Sequence, residues 1–216
     1  MHKTVTVDLA ESVLAANRDL ARQNRALLKS NGVRTFDFLG AVGSGKTLLI
    51  ERLSELLDTR GLRVGAIAGD VAGDDDHRRF LAKGIVSENL NTGKECHLDA
   101  HLVEHALDHM DLGAFDVLFI ENVGNLVCPA DFPLGAEKRV VVISTTEGDD
   151  TVRKHPFIFR DADVCVINKI DLAEPVGVDV DVIEGDFRTM NGHAPFIRTN
   201  AKTGEGVELL LDALMD

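Results

Sequence analysis

The sequence predicts an α/β protein, with a mostly parallel central sheet and helices on both faces, in the arrangement of a phosphate-loop NTPase fold. Three features predict it. Short apolar runs alternate along the chain with helix-length segments, the pattern of parallel strands joined by crossovers. Residues 40–47 read Gly-Ala-Val-Gly-Ser-Gly-Lys-Thr, and this G-x-x-x-x-G-K-[ST] spacing sits between the apolar run 36–39 and the helical run 48–53. The remaining motifs each fall just after a predicted strand, at the carboxyl ends where such sheets bind ligands.

Taken in order, residues 8–30 read as one helix. Leu9, Val13, Leu14, Leu20, Leu27 and Leu28 recur at helical intervals, Asp8 is placed to cap the first turn, and Asn31-Gly32 supplies the stop. The residues fit a packing helix on the outside of the domain and a partner-binding helix alike. Residues 36–39 form the first strand. A second, 62–68, ends in Gly69-Asp70 and leads to a short helix over 74–83. A short strand covers 85–86, and 97–109 is helical. Strands follow at 115–120, 139–144 and 162–167, then a helix at 178–189, a short strand at 196–198 and a closing helix at 205–215. There is no internal repeat or linker. The 216 residues read as one domain, 1–216, in which an N-terminal packing helix (1–33) precedes a nucleotide-binding core (34–216).

Composition excludes several classes of function. A formal net charge of −13 argues against nucleic acid or an anionic membrane as partner, and the lack of Trp and Tyr leaves little for base stacking. No apolar run approaches a membrane span, and Met1 to Lys3 is not followed by a signal-peptide core, so a cytoplasmic protein is expected. Three scattered cysteines make no disulfide scaffold; they are better read as packing residues or metal ligands.

In the loop at 40–47, Gly40, Gly43 and Gly45 let backbone N–H groups, that of Ser44 included, turn toward phosphate oxygens at a helix N-terminus. Lys46 is expected to reach the outer phosphates and Thr47 to hold Mg²⁺ through its hydroxyl. Asn168-Lys169-Ile170-Asp171 follows the apolar strand 164–167. Guanine presents two adjacent N–H donors that the Asp171 carboxylate can accept together, whereas adenine has no such pair. Asn168 can tie the loop together or reach the base edge, and the Lys169 stem can lie across the ring. Further on, Asn200-Ala201-Lys202 stands where GTPases carry Ser-Ala-Lys, so the Ala201 N–H is expected to meet the guanine carbonyl. GTP is therefore the nucleotide expected. The strand at 115–120 runs into Glu121-Asn122-Val123-Gly124, in the place of D-x-x-G. Glu121 is expected to hold Mg²⁺ through water and the Gly124 N–H to sense the third phosphate. Asn125 follows where many signalling GTPases place a water-orienting Gln, which predicts slow intrinsic hydrolysis. Of the acidic residues after the second strand, Asp70 and Asp76 are expected to complete the magnesium or attacking-water site. Asp74 and Asp75 read as helix N-terminal acids. Lys46, Asp70 and Glu121 are the expected catalytic residues.

Cys96-His97 and Cys128-Pro129 come from neighbouring crossover loops that can converge near the nucleotide. Two thiolates and an imidazole suit Zn²⁺ or Ni²⁺. A three-ligand site is open, so its metal can exchange or a second subunit can complete it. His101 and His105 follow His97 at intervals of four; either could be a fourth ligand, though a solvent-facing row fits better. Cys165 lies inside an apolar strand and reads as core.

The stretches 91–100 and 121–129 closely resemble the HypB family, GTPases that help insert nickel into nickel–iron hydrogenase, and the likeness covers nearly the whole chain. The resemblance implies a dimerising phosphate-loop GTPase of the nickel-chaperone branch. It implies a homodimer when GTP is bound, with a metal site of Cys96, His97 and Cys128 at the subunit interface. It also implies partners that include the HypA metallochaperone and the hydrogenase large-subunit precursor. Some family members begin with a Cys-rich nickel motif or a long His-rich tract; this N-terminus has only His2. Three rivals remain. A urease-type nickel chaperone should carry Cys-Pro-His, but Ala130 follows Cys128-Pro129. A phosphotransferase with a structural zinc usually prefers ATP, against Asp171. A regulatory module would use GTP as a timer with structural cysteines.

Overall fold

The computed structural model describes residues 2–216, with side chains from Glu11 onward. The chain runs α1 (His2–Ser30), β1 (Arg34–Gly40), α2 (Lys46–Thr59), β2 (Val64–Asp70), α3 (Asp75–Ala82), β3 (Val86–Asn91), α4 (Ala100–His109), β4 (Val117–Glu121), β5 (Lys138–Ser144), α5 (Thr151–Lys154), α6 (Pro156–Arg160), β6 (Val164–Asn168), α7 (Ala173–Val176), α8 (Val180–Met190), β7 (Phe196–Arg198) and α9 (Val207–Met215). All seven strands are parallel, in the order β3-β2-β4-β1-β5-β6-β7. The α/β expectation holds, with a sheet that is wholly rather than mostly parallel.

The strands are buried on both faces, which is why they read as unbroken apolar runs. Period-two alternation splits their side chains between two layers. Val140 and Val142 face α2 and α9 together with Phe36, Phe38, Leu49, Leu53 and Leu210. Val141 and Ile143 face Phe159 of α6 and Phe187 of α8. On that second face, toward the β2 side, Ile67, Leu118 and Ile120 meet α4 and Leu28 of α1. Cys165 is fully buried in this core, as expected, and burial raises its thiol pKa far above the ordinary value.

Helix α1 begins at His2, so Asp8 lies inside it and is not its N-cap. The other end stops as expected: Gly32 takes φ +73°, and Asn31 and Val33 donate to the carbonyls of Leu27 and Leu28. Two buried asparagines fasten α1 to the domain. Asn17 accepts from the Ala100 N–H (2.8 Å) and donates to the Pro133 carbonyl (2.9 Å). Asn24 donates to the carbonyls of Ala100 (2.8 Å) and Leu134 (3.1 Å). Gly135 lets the 132–136 segment come that close: a Cβ there would lie 2.5 Å from the Ala21 carbonyl oxygen.

Two further boundaries differ from the sequence reading. The helix expected over 97–109 starts at Ala100, because Asp99 accepts from the Leu102 N–H at 2.8 Å and caps it there. Cys96 and His97 are thereby left in a loop. Strand β3 extends to Asn91, past the expected 85–86; its mixed residues Ser-Glu-Asn-Leu-Asn carry little apolar signal because it is an edge strand.

Candidate nucleotide and metal site

The carboxyl ends of β1, β2, β4 and β6 bring the expected residues to one edge of the sheet. After β1, the chain turns through Gly43 (φ +79°) and Gly45 (φ +102°) into α2. A Cβ at Gly45 would strike the Asn168 amide nitrogen, and one at Gly40 the Val142 carbonyl. Lys46 is 5 % exposed and folds back onto its own loop, donating to the carbonyls of Gly40 (3.3 Å) and Ala41 (3.2 Å). Burial lowers its pKa, while the charges of Glu121, Asp76 and Glu147 oppose the shift.

The Thr47 hydroxyl lies 2.9 Å from Asp76 Oδ1 and 2.9 Å from Glu121 Oε1. A hydroxyl has one proton, so it can donate to only one of these carboxyls, and the second contact is a hydrogen bond only when a carboxyl carries a proton of its own. Glu121 Oε2 is buried with no partner. Burial pushes the Glu121 carboxyl up to about 7; Asp76 adds to the rise, and Lys46 and the Thr47 hydroxyl oppose it. Two carboxylates and a hydroxyl converging in a buried pocket, with an orphaned oxygen, fit the donor set of Mg²⁺. Asp70 does not join them. It sits at the end of β2, and its Oδ1 accepts from the Val71 N–H at 2.6 Å, the local turn that Asp favours.

The loop at 168–171 is tied to the phosphate loop. Asn168 donates to the Ser44 carbonyl (2.9 Å) and accepts from the Thr199 hydroxyl (3.1 Å) and the Ala201 N–H (3.0 Å). The Ala201 N–H therefore serves Asn168 here and does not stand free for a guanine carbonyl. Lys169, at φ +60° the one non-glycine residue with positive φ among those described, sends its ammonium to the Gly43 carbonyl at 2.6 Å. Asp171 is exposed, with no side-chain hydrogen bond, at the outer end of this loop, and Lys202 is exposed beyond Ala201.

Glu121 leads into Asn122-Val123-Gly124-Asn125. Gly124 packs on the phosphate loop so closely that a Cβ would lie 2.9 Å from the Val42 backbone nitrogen. Asn122, 1 % exposed, accepts from the N–H groups of Leu98 (3.1 Å) and Val123 (3.0 Å) and donates to Asp37 Oδ1 (3.3 Å). Asp37, wholly buried in β1, has its carboxyl pushed up to about 6 by burial, against the charge of Arg139. The Asn125 N–H donates to the Gly40 carbonyl (3.0 Å), and its side chain turns away from the phosphate loop toward Cys96 and Val127.

Cys96, His97 and Cys128 converge, with one ligand atom from each lying within 4.8 Å of the others. The two sulfurs are 2.6 Å apart, and the His97 ring lies against Phe132, centroids 4.0 Å apart. The Cys128 sulfur is the main cause of a raised Cys96 thiol pKa, with burial second. All three residues are half-exposed, so the cluster opens to the surface. His101 and His105 do not join it. His101 is exposed beside Glu104, and His105 packs on His109 with centroids 4.6 Å apart. The sequence reading gave no role to Asn122 or to Glu147, whose buried carboxyl caps the turn after β5 and acts on Lys46, and it read Asn125 for its bearing on hydrolysis, not for its bonds to the metal loops. An asparagine directly after the motif's Glu121 was the available signal for Asn122.

The fold and this edge of the sheet define a phosphate-loop nucleotide-binding protein with an open Cys/His cluster beside its nucleotide loops. A family model described as CobW/HypB/UreG, nucleotide-binding domain, matches residues 35–198. The chain is 53 % identical over 212 residues to the probable hydrogenase maturation factor HypB of Methanocaldococcus jannaschii, covering 98 % of this chain and 96 % of that one. It superposes on the crystal structure of the hydrogenase maturation factor HypB from Archaeoglobus fulgidus with a TM-score of 0.86 and 49 % identity, over 93 % of this chain and 98 % of that one. It superposes on HypB from Helicobacter pylori in complex with nickel with a TM-score of 0.87 and 32 % identity, over 93 % and 94 % of the two chains. This chain belongs to the HypB family of hydrogenase maturation factors. No helix among the described residues is long and apolar enough to cross a membrane.

Proposed function

We propose that residues 1–216 work as one GTPase domain that binds nickel or zinc and assists nickel insertion during hydrogenase maturation. GTP hydrolysis to GDP and phosphate resets it. The observation that carries this reading is the meeting of two sites. Cys96, His97 and Cys128 hang from the loops after β3 and β4, and the second of these loops packs on the phosphate loop through Gly124 and Asn125. A change at the phosphates is therefore felt where the thiolates sit.

GTP is the nucleotide because the free Asp171 carboxylate accepts both guanine donors, with Asn168 and Lys169 holding its loop in place. Lys46 leaves the Gly40 and Ala41 carbonyls to meet the outer phosphates, and the Gly124 N–H reads the third one. Thr47, Asp76 and Glu121 are the residues that would hold Mg²⁺, which supplies positive charge against the phosphates. Hydrolysis is slow in the isolated chain because the Asn125 amide is committed to Cys96 and Val127 and is not aimed at an attacking water. Two thiolates and an imidazole suit Ni²⁺ and Zn²⁺ alike, and the H. pylori relative was crystallised with nickel. Val127 (63 % exposed), next to Cys128, and Val42 (83 % exposed), on the phosphate loop against Gly124, leave apolar surface on this edge. That surface favours a GTP-bound homodimer in which two three-ligand sets face each other. A HypA-like metallochaperone and the hydrogenase large-subunit precursor follow from the family's role as the protein partners.

The test is titration of nickel and of zinc into the GDP form and the form bound to a non-hydrolysable GTP analogue, each followed by sizing. The reading requires different metal affinity and different assembly in the two forms. Equal affinity and equal size in both would overturn it.

A further inference from the structure

The two sites are joined by one short chain of hydrogen bonds. The Gly40 carbonyl oxygen is shared: it accepts from Lys46 Nζ at 3.3 Å and from the Asn125 N–H at 3.0 Å. The Asn125 side chain then spans the metal loops. Its Oδ1 accepts from the Val127 N–H at 2.8 Å, one residue before Cys128, and its Nδ2 donates to the Cys96 carbonyl at 3.3 Å. This donor–acceptor pattern fixes which way the amide points. Gly40 and Asn125 also pair as an isolated antiparallel bridge, so the contact is backbone-defined on the phosphate side. Asn122 grips the Cys96 loop as well, at the Leu98 N–H, but its other contacts run into the buried sheet at Asp37 and not to the phosphate loop.

We propose that Asn125 is the positioning residue that couples the phosphate loop to the metal cluster: Lys46 and Asn125 share the Gly40 carbonyl, and the Asn125 amide sets the separation of the Cys96 and Cys128 backbones. When the Lys46 ammonium moves to a phosphate, the Gly40 carbonyl keeps only the Asn125 N–H, and the Asn125 backbone shifts with the loop. Its amide carries that shift to both cysteines at once. The residue touches neither phosphate nor metal. It occupies the position of a water-orienting Gln in other GTPases and is turned to a different task.

This inference rests on the reading of the cluster as a nucleotide-responsive metal site, and the experiment separates the two. Nickel is titrated into the wild-type chain, Asn125→Ala and Asn125→Asp, each in GDP and in a non-hydrolysable GTP analogue. Binding is followed by the thiolate-to-nickel charge-transfer absorption. Asn125→Asp is isosteric and keeps the acceptor for Val127 while losing the donor to Cys96; labelled-GDP binding reports that each variant is folded. In wild type the two nucleotide forms should differ in nickel affinity by on the order of tenfold, within the usual range for coupled sites. In both variants the ratio should fall to within about twofold of unity, with the charge-transfer band still present but no longer moving between nucleotide forms. A wild-type ratio near unity refutes the functional reading itself. A wild-type ratio retained in either folded variant overturns the role given to Asn125.

Discussion

Glu121 should make the nucleotide-free protein less stable as pH rises through neutrality, and Glu121→Gln should remove that dependence. The carboxyl is buried and reaches about 7, from an ordinary value of 4.5. Between those values the folded state holds a proton that the unfolded state has released. Unfolding there releases a proton, so stability falls as pH rises and levels off above about pH 7. A rise from 4.5 to about 7 corresponds to roughly 3 kcal/mol in full. From about pH 5.5 to about pH 8 the change amounts to about 2 kcal/mol, or several degrees in Tm for a chain of this size. Glutamine keeps an oxygen for the Thr47 hydroxyl and carries no charge. The assay is urea unfolding of the nucleotide-free, metal-free wild type and Glu121→Gln across that range. The stability gap in favour of the variant should widen by about 2 kcal/mol toward high pH. Mg²⁺ added at the alkaline end should recover the wild type and leave the variant unmoved. A gap that stays constant with pH would refute the placement of an ionisable, solvent-deprived carboxyl at this point.

Four further outcomes are expected. Asp171→Asn should weaken GDP binding by on the order of a hundredfold, since a carboxylate accepting two donors is exchanged for one neutral acceptor; isothermal titration measures it, and an unchanged affinity would place the base elsewhere. Gly124→Ala should lose about 1–3 kcal/mol of stability or open the loop against Val42, because the new methyl meets backbone atoms, and denaturation with labelled-nucleotide binding reads both. Asn17→Ala should cost about 2–3 kcal/mol in chemical unfolding, as it strands the Ala100 N–H and the Pro133 carbonyl in a buried setting; a loss under about half a kilocalorie would mean that α1 is only loosely seated. Cys96→Ser with Cys128→Ser should abolish the thiolate-to-nickel absorption with GDP affinity intact, whereas a parallel loss of fold would mark the cysteines as structural.

Much of this architecture was legible because each element wrote itself in one local pattern. The apolar runs gave the strands, and the G-x-x-x-x-G-K-[ST] and Asn-Lys-x-Asp spacings gave the loops that follow them. Strand order was not legible: β1 lies between β4 and β5, partners some eighty and a hundred residues away whose sequences record only that they are buried. At several positions a local polar bond, invisible in the residue pattern, decides where a side chain goes. His97, His101 and His105 keep helical spacing, but the Asp99 cap delays the helix and frees His97 for the cluster. Asp70 and Asp76 look equivalent in sequence, yet one closes its own turn and the other reaches Thr47. Ala201 fits the Ser-Ala-Lys pattern, but its N–H is taken by Asn168. Asn17 and Asn24 interrupt no pattern at all. They lie seven residues apart on the buried face of α1, where a polar residue signals a specific partner across the interface.

The bonds from Asn168 to Ser44 and from Lys169 to Gly43 have a consequence for how the nucleotide is gripped in its two halves. Where loops that recognise base and phosphate become ordered together only on binding, the first ligand fragment bears the ordering cost and eases the way for the second. Here folding has already fixed the two loops against each other, so the site is preorganised along its length. Guanosine and pyrophosphate, added as separate molecules, should therefore bind independently, neither easing the way for the other. The gain from joining them in one nucleotide should come from the covalent link alone.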